Sequence, residues 1–248
     1  MRRASYSLIL AGVLFFCSCD GNTPSAQSEE VDNPHFDFLL YDGLNESITT
    51  EMSLVLENNF ERITTDLNVE DMPLVTLRLW GDYEHFLTDM VTIIGTRYDG
   101  ATGYVTNRNE ICMFHTNRNP LTAVHEFAHL VSIQVNGTIP NNPRWLWESV
   151  AIYESQDFID PQNLPYIVAG NYPTLYNLNT DFNSSDHSIY SVGYVLLEYI
   201  IDSWGMDAVI TLIETNGHIQ SSLGITIEEF ETGWHQFLQE KYLTVAPI

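Results

Sequence analysis

The chain has 248 residues, 44% of them hydrophobic and 17% charged, which is enough apolar material for a sizeable core and excludes an intrinsically disordered protein. Acidic residues outnumber basic ones 33 to 9, a net charge of −24, and Lys241 is the single lysine. A surface this negative repels phosphate backbones and anionic lipid surfaces, so neither nucleic acid nor a charged membrane face is an expected partner.

Residues 1–18 read as a secretory signal peptide. Arg2 and Arg3 give its basic start, and the apolar run Leu8–Phe16 suits a signal core but is too short to span a bilayer. Phe16-Cys17-Ser18-Cys19 resembles a bacterial lipobox, with Phe16 where Leu is more usual. The resemblance implies a lipid anchor on Cys19 and an exported lipoprotein of the bacterial cell envelope, at the periplasmic or outer-membrane face. Residues 19–33, rich in Gly, Ser, Pro, Gln and Glu, then form a lipidated tether. An ordinary cleaved signal that releases a soluble product is the alternative. With Cys17 removed and Cys19 lipidated, Cys112 stands alone, so no intramolecular disulfide is expected.

Residues 34–248 read as one domain, without repeats or a second linker. Ile48, Met52, Val55, Phe60, Ile63 and Leu67 recur at helical spacing over 47–67. Residues 74–80 alternate and favour a strand, Gly81-Asp82 breaks it, and 83–94 returns to a helical pattern. Two short strands are expected at 104–105 and 111–114. Asn119-Pro120 opens a helix to Val135, with Asn119 as cap and Pro120 at the first helical position, and Asn136-Gly137 stops it. A second helix covers 145–156, residues 161–188 are irregular, a third helix covers 189–203 up to Gly205, and 207–214 continues helical. Thr226-Ile-Glu-Glu229 is a capping box that opens the last helix, whose buried face is Phe230, Trp234, Phe237 and Leu238. Strands early and helices late predict an α+β fold with segregated layers.

The informative segment is His125-Glu126-Phe127-Ala128-His129. On a helix, positions i and i+4 lie about 40° apart and about 6 Å along the axis, so both imidazoles reach one ion from the same face. Glu126 falls about 100° round from His125, beside the pair, where its carboxylate can meet a water. Val124, Ala128, Val131 and Val135 supply the buried side. A chance H-E-x-x-H is the competing explanation. Zinc in a catalytic site takes three protein ligands and leaves the fourth position open. The candidate third ligand is Glu148, with 18 residues between it and His129, on a helix that can return antiparallel after the loop of Gly137, Pro140 and Pro143. The alternative for Glu148 is an exposed residue near a helix N-terminus, favoured by the dipole.

H-E-x-x-H followed by Trp145-Leu-Trp-Glu148-Ser-Val-Ala-Ile-Tyr153 resembles the gluzincin metallopeptidases, in particular the leucyl/alanyl aminopeptidase family and the smaller peptidase-MA-like domains. The resemblance covers roughly 74–205, and the helix around 230–238 is also typical. It implies a zincin-like α+β fold. In the fold so implied, a small N-terminal mixed sheet with an edge strand lies over a helical C-terminal lobe, with a Zn2+ site between them held by His125, His129 and Glu148. Tyr190-Ser-Val-Gly193 is similar to the family's Y-x-x-G helix, which implies that Tyr190 donates to the oxyanion; a core aromatic is the alternative. Three features depart from the pattern. Ser149 replaces the usual Gly after the third ligand. The G-x-M-E-N strand that grips a substrate amine is represented by Gly103-Tyr-Val-Thr-Asn107, with Thr106 in place of Glu. The carboxylate usual seven residues after the third ligand is missing, since position 155 is Ser and Glu154 sits one short. Glu110 as an amine anchor, Arg144 as a substrate contact, and His115 and His187 as assisting groups are weaker readings than an exposed turn carboxylate, an ordinary ion pair and surface histidines.

The expected protein is therefore a zinc-dependent metallopeptidase acting on a peptide or protein substrate, with Glu126 as general base and Tyr190 as oxyanion donor. Without the amine-gripping Glu, an endopeptidase is expected. The alternatives are an aminopeptidase, or a non-catalytic lipoprotein that binds a peptide or partner on the same fold.

Overall fold

Hydrophobic alternation builds a four-stranded sheet in a computed structural model that describes residues 34–180 and 188–244. The expected signal peptide, the expected tether with Cys19, and His187 lie outside the described residues. The strands are β1 (Phe36–Leu40), β2 (Val75–Trp80), β3 (Gly103–Val105) and β4 (Glu110–Phe114), in the order β1-β2-β4-β3. β1 and β4 flank β2 in parallel, and β3 runs antiparallel to β4 as an outer strand. Register places Leu77 opposite both Phe38 and Ile111. Period-two alternation then sorts the side chains: Val75, Leu77, Leu79, Ile111 and Met113 enter the main core, while Trp80 and Cys112 turn to the other face.

That other face is covered by α2 (Tyr83–Ile94) through Phe86, Leu87 and Met90. Its ends follow from local chemistry. The Asp82 side chain accepts from the His85 N–H at 2.8 Å, and Gly95 stops the helix at φ +75°. On the main face lie α1 (Thr49–Asp66) and the central α3 (Asn119–Val135), which pack on each other. Phe127 lies 5.2 Å from Phe36 and 5.5 Å from Phe60, ring centre to ring centre, so the middle of the H-E-x-x-H segment is pinned to the sheet side.

The α-helices that follow α3 among the described residues are α4 (Arg144–Glu154), α5 (Pro165–Val168), α6 (Leu175–Thr180), α7 (Ile189–Trp204), α8 (Met206–Glu214), α9 (Ile219–Leu223) and α10 (Ile227–Leu238). All four strands precede residue 115, and the architecture is mixed α+β. Both halves of the Thr226–Glu229 capping box are formed, with N–H to side-chain distances of 2.8 and 3.1 Å. Among the described residues no helix is long and apolar enough to cross a membrane.

The structure departs from expectation at several places. Residues 161–180 hold a 3-10 turn (Pro161–Asn163), α5 and α6 rather than irregular chain. β1 and α9 were not predicted. Asn119 is not the cap of α3 but its first helical residue. Its buried side chain instead ties the β4–α3 turn, accepting from the Thr116 N–H at 2.5 Å and donating to the Phe114 carbonyl at 3.1 Å.

Helices α4 and α7 approach closely because residue 193 is Gly. A Cβ there would lie 2.7 Å from Ile152 Cδ1 and 3.3 Å from the Ser149 Cα. The Y-x-x-G spacing thus has a packing meaning: the glycine brings the helix of Tyr190 against the helix of Glu148.

Candidate metal centre

Helix α3 is buried along most of its length, which removes His129 and Glu126 from bulk water and leaves His125 partly accessible. The chain after it is turned back by Asn136. Its side-chain amide donates to the Ile213 carbonyl at 2.8 Å, and its side-chain oxygen accepts from the Thr138 N–H at 2.9 Å. Helix α4 follows, packed on α3, and carries Glu148 inward at 4% exposure. Glu148 Oε2 lies 3.4 Å from His125 Nε2 and 3.8 Å from His129 Nε2.

The three donors all lie within 4.8 Å of one another, a cluster that could hold a metal ion. Donors about 2.0–2.2 Å from a tetrahedral ion stand about 3.3–3.6 Å apart, which the 3.4 Å separation matches and the 3.8 Å separation exceeds slightly. A buried and a partly buried imidazole with a buried carboxylate are also the donor types that bind first-row divalent ions.

The electrostatics act in opposite directions on the two imidazoles. Burial, with the charges of His125 and Arg144, pushes His129 well below the ordinary histidine value, so it is a neutral imidazole. Its ring stacks on Trp147 at 3.8 Å and an interplanar angle of 5°, which fixes its plane. Nδ1 of His129 has no hydrogen-bond partner among the described residues, so stacking rather than a second hydrogen bond orients it. Burial also opposes charge on His125, but the hydrogen bond and charge of Glu148 outweigh it and raise the value.

Glu126 stands beside the cluster at 7% exposure. Burial raises its carboxyl to about 7, against the opposing charge of His125. Strand β3 passes directly over it: a Cβ on Gly103 would come within 2.6 Å of Glu126 Oε1.

Tyr190, at the start of α7, is 39% exposed overall, yet its hydroxyl meets the site. Arg144 Nη2 donates to Tyr190 Oη at 3.2 Å and lies 3.3 Å from Glu148 Oε1. Burial and the nearby Glu148 charge push the Tyr190 phenol up to about 12.

His125, His129 and Glu148 are thus brought together with Glu126 and Tyr190 around them. Other candidates are not. Glu154 faces away from the cluster and pairs with Arg62 of α1, through both its carboxylate and its backbone carbonyl. Buried Ser155 donates its hydroxyl to the Ile152 carbonyl. Glu110 is not a free turn carboxylate: it lies on β4, accepting from Arg78 Nε at 2.6 Å and from the Thr106 hydroxyl at 2.7 Å. His115 Nδ1 pairs with Asn119 Oδ1 at 2.9 Å and so belongs to the β4–α3 turn. Sequence reasoning gave Arg144 an unspecified carboxylate partner and missed the stacking role of Trp147. The i, i+4 spacing of Arg144 and Glu148 was the available signal for the first. No family model matches the chain, and no curated protein matches it.

Proposed function

We propose that this protein is a zinc-dependent metallopeptidase that cleaves within peptide chains. The observation that carries the reading is the convergence of His125, His129 and Glu148 with Glu126 beside them. Two histidines and one glutamate are a catalytic zinc set. Zinc bound there supplies Lewis-acid polarisation of the carbonyl and a water nucleophilic at neutral pH.

The chain's own groups do the rest. Glu126, buried beside the three donors, takes the proton of the attacking water and returns it to the leaving amine. Tyr190 keeps its phenolic proton at pH 7 and donates to the oxyanion as it forms. Outer strand β3 offers backbone groups to an extended substrate, directly above Glu126.

The state of Glu110 favours internal cleavage over aminopeptidase action. Its two oxygens are engaged by Arg78 and Thr106, so it is poorly placed to hold a substrate's free amine. The basic start, the apolar run and Cys19 support export and lipid attachment. Loss of labelled-lipid incorporation in C19A tests that part.

The test of activity is metal analysis of the purified protein, followed by cleavage of a peptide library read by mass spectrometry with and without chelator. One zinc per chain and chelator-sensitive cuts inside peptides support the reading. Zinc without hydrolysis refutes it in favour of a binding protein. Cleavage that stops when peptide N-termini are blocked refutes internal cleavage in favour of an aminopeptidase.

A further inference from the structure

Two oxygens of one carboxylate do different things in this site. Glu148 Oε2 faces the imidazoles, at 3.4 and 3.8 Å from the two Nε2 atoms. Glu148 Oε1 faces the other way, 3.3 Å from Arg144 Nη2. The same nitrogen donates to the Tyr190 hydroxyl at 3.2 Å. One guanidinium therefore joins a candidate metal ligand on its own helix to a candidate oxyanion donor 46 residues away on α7.

This is not one ion pair among many. Arg62 is committed to Glu154 and Asp66, Arg78 to Glu110, Arg97 to Glu84 and Asp99, and Lys241 to Glu198 and Asp202. Among the described residues, Arg144 is the cationic side chain within ion-pair distance of the cluster. Its location within one turn of Glu148 makes the contact a property of α4 itself.

The chemistry asks for such a clamp. An unrestrained carboxylate can present either oxygen or both to a cation, and a phenol at a partly exposed helix start can swing into solvent. We infer that Arg144 is a positioning residue, which holds Glu148 Oε1 so that Oε2 alone is offered to the metal, and which fixes the Tyr190 hydroxyl beside it. The inference rests on the metallopeptidase reading above. Arginine suits both tasks because its guanidinium is a rigid planar fork, whereas lysine is a point charge on a flexible stem. Groups that orient a ligating carboxylate tune metal affinity, and their loss commonly weakens it about 10–100-fold.

The test uses the full-length protein and its R144Q, R144K, Y190F and R144Q/Y190F variants, with circular dichroism to verify folding. Zinc affinity is measured by competition with a chromophoric chelator, and kcat and KM on a cleaved peptide at saturating zinc. Expected for R144Q is zinc binding weakened about 10–100-fold, and a kcat lowered at least about tenfold with KM within about twofold of wild type. Y190F is expected to lower kcat and leave zinc affinity intact. The double variant is expected to lose little more kcat than the worse single variant, since both changes break one arrangement. R144K, which restores the charge but not the fork, is expected to recover zinc affinity more fully than kcat. R144Q with wild-type zinc affinity and a defect in KM alone overturns the inference and makes Arg144 a substrate contact. Multiplicative losses in the double variant overturn the link to Tyr190. A wild-type protein that binds no zinc sinks the metallopeptidase reading itself. One that binds zinc without cleaving sinks only the catalytic part, and the affinity comparison still decides for or against Arg144.

Discussion

The edge-strand glycine Gly103 and the carboxylate of Glu126 are in direct apposition: a methyl group on Gly103 would sit 2.6 Å from Glu126 Oε1 and 3.0 Å from its Cγ. The atoms in the way belong to a side chain that can turn, not to backbone. G103A is therefore expected to fold with little loss of stability while forcing the Glu126 carboxylate out of place. Under the proposed mechanism its peptide turnover falls at least about tenfold, towards the roughly 10²–10⁴-fold that a general base contributes. Zinc content, by contrast, is expected to stay at the wild-type level, because Glu126 is not among the three donors. Unaltered turnover in a folded G103A protein would remove Glu126 from the mechanism.

The contact between α4 and α7 makes a complementary case, in which the fold itself is at stake. In G193A the new methyl meets Ile152 Cδ1 at 2.7 Å and the Ser149 Cα at 3.3 Å. The first can rotate away, but the second is backbone and the helices must separate slightly. Overpacking of this kind costs about 1–3 kcal/mol, read as a shifted midpoint in urea unfolding. The displacement also moves Tyr190 from Arg144, so catalysis is expected to fall further than stability alone explains. A variant as stable and active as wild type contradicts this account of the packing.

These two glycines also mark how far the sequence was legible. The helix spacing of His125 and His129 and the recurrence of Glu148 after a breaking loop are local patterns, and the side chains do meet. β2, α2, α3 and α10 follow from alternation, helical periodicity and caps, with boundaries within a residue or two. β1 was illegible because only Phe36 of its five residues is buried, and Leu39-Leu40 breaks the alternation. α9 is a single short run, Ile219–Leu223, too brief to show a period. The placement of Gly103 over Glu126 and of Arg144 against Tyr190 depends on contacts between distant elements, which no local pattern encodes. Glu154 was legible by contrast: six residues after Glu148 it lies about 120° off that residue's face of the helix, and α4 aims it at Arg62.

Trp147 offers a spectroscopic handle on the metal. Its indole stacks on His129 at 3.8 Å, so withdrawal of electron density from the imidazole by a bound cation reaches the fluorophore. Titrating zinc into chelator-treated protein is expected to change the tryptophan emission, and W147F is expected to lose most of that change while the other tryptophans remain. Metal binding to the folded state also raises thermal stability by linkage, by about 4 kcal/mol at a thousandfold excess over Kd. A wild-type melting temperature indifferent to zinc and chelator would mean that the three donors hold no ion in solution.

The pH dependence of the metal-free protein reports on the buried carboxyl of Glu126. Burial raises Glu126 from 4.5 to about 7 in the folded state, so the folded protein holds a proton there that the unfolded chain has already released. The sign follows from linkage: stability attributable to this group is fully present below about pH 4.5 and is lost as pH rises through 7. A shift of this size corresponds to roughly 3 kcal/mol at most, at 1.36 kcal/mol per unit. Other groups titrate in the same window, including His129, whose depressed value acts in the opposite direction, so the comparison must be made against E126Q. In chelator, the stability of E126Q minus that of wild type is expected to grow between pH 5 and pH 8, measured by urea unfolding at each pH. With zinc restored, the same variant is expected to bind the ion and to lose roughly 10²–10⁴-fold in turnover. A difference that stays flat with pH means that the Glu126 carboxylate is solvated in the folded protein, and the burial invoked for its proposed role is then absent.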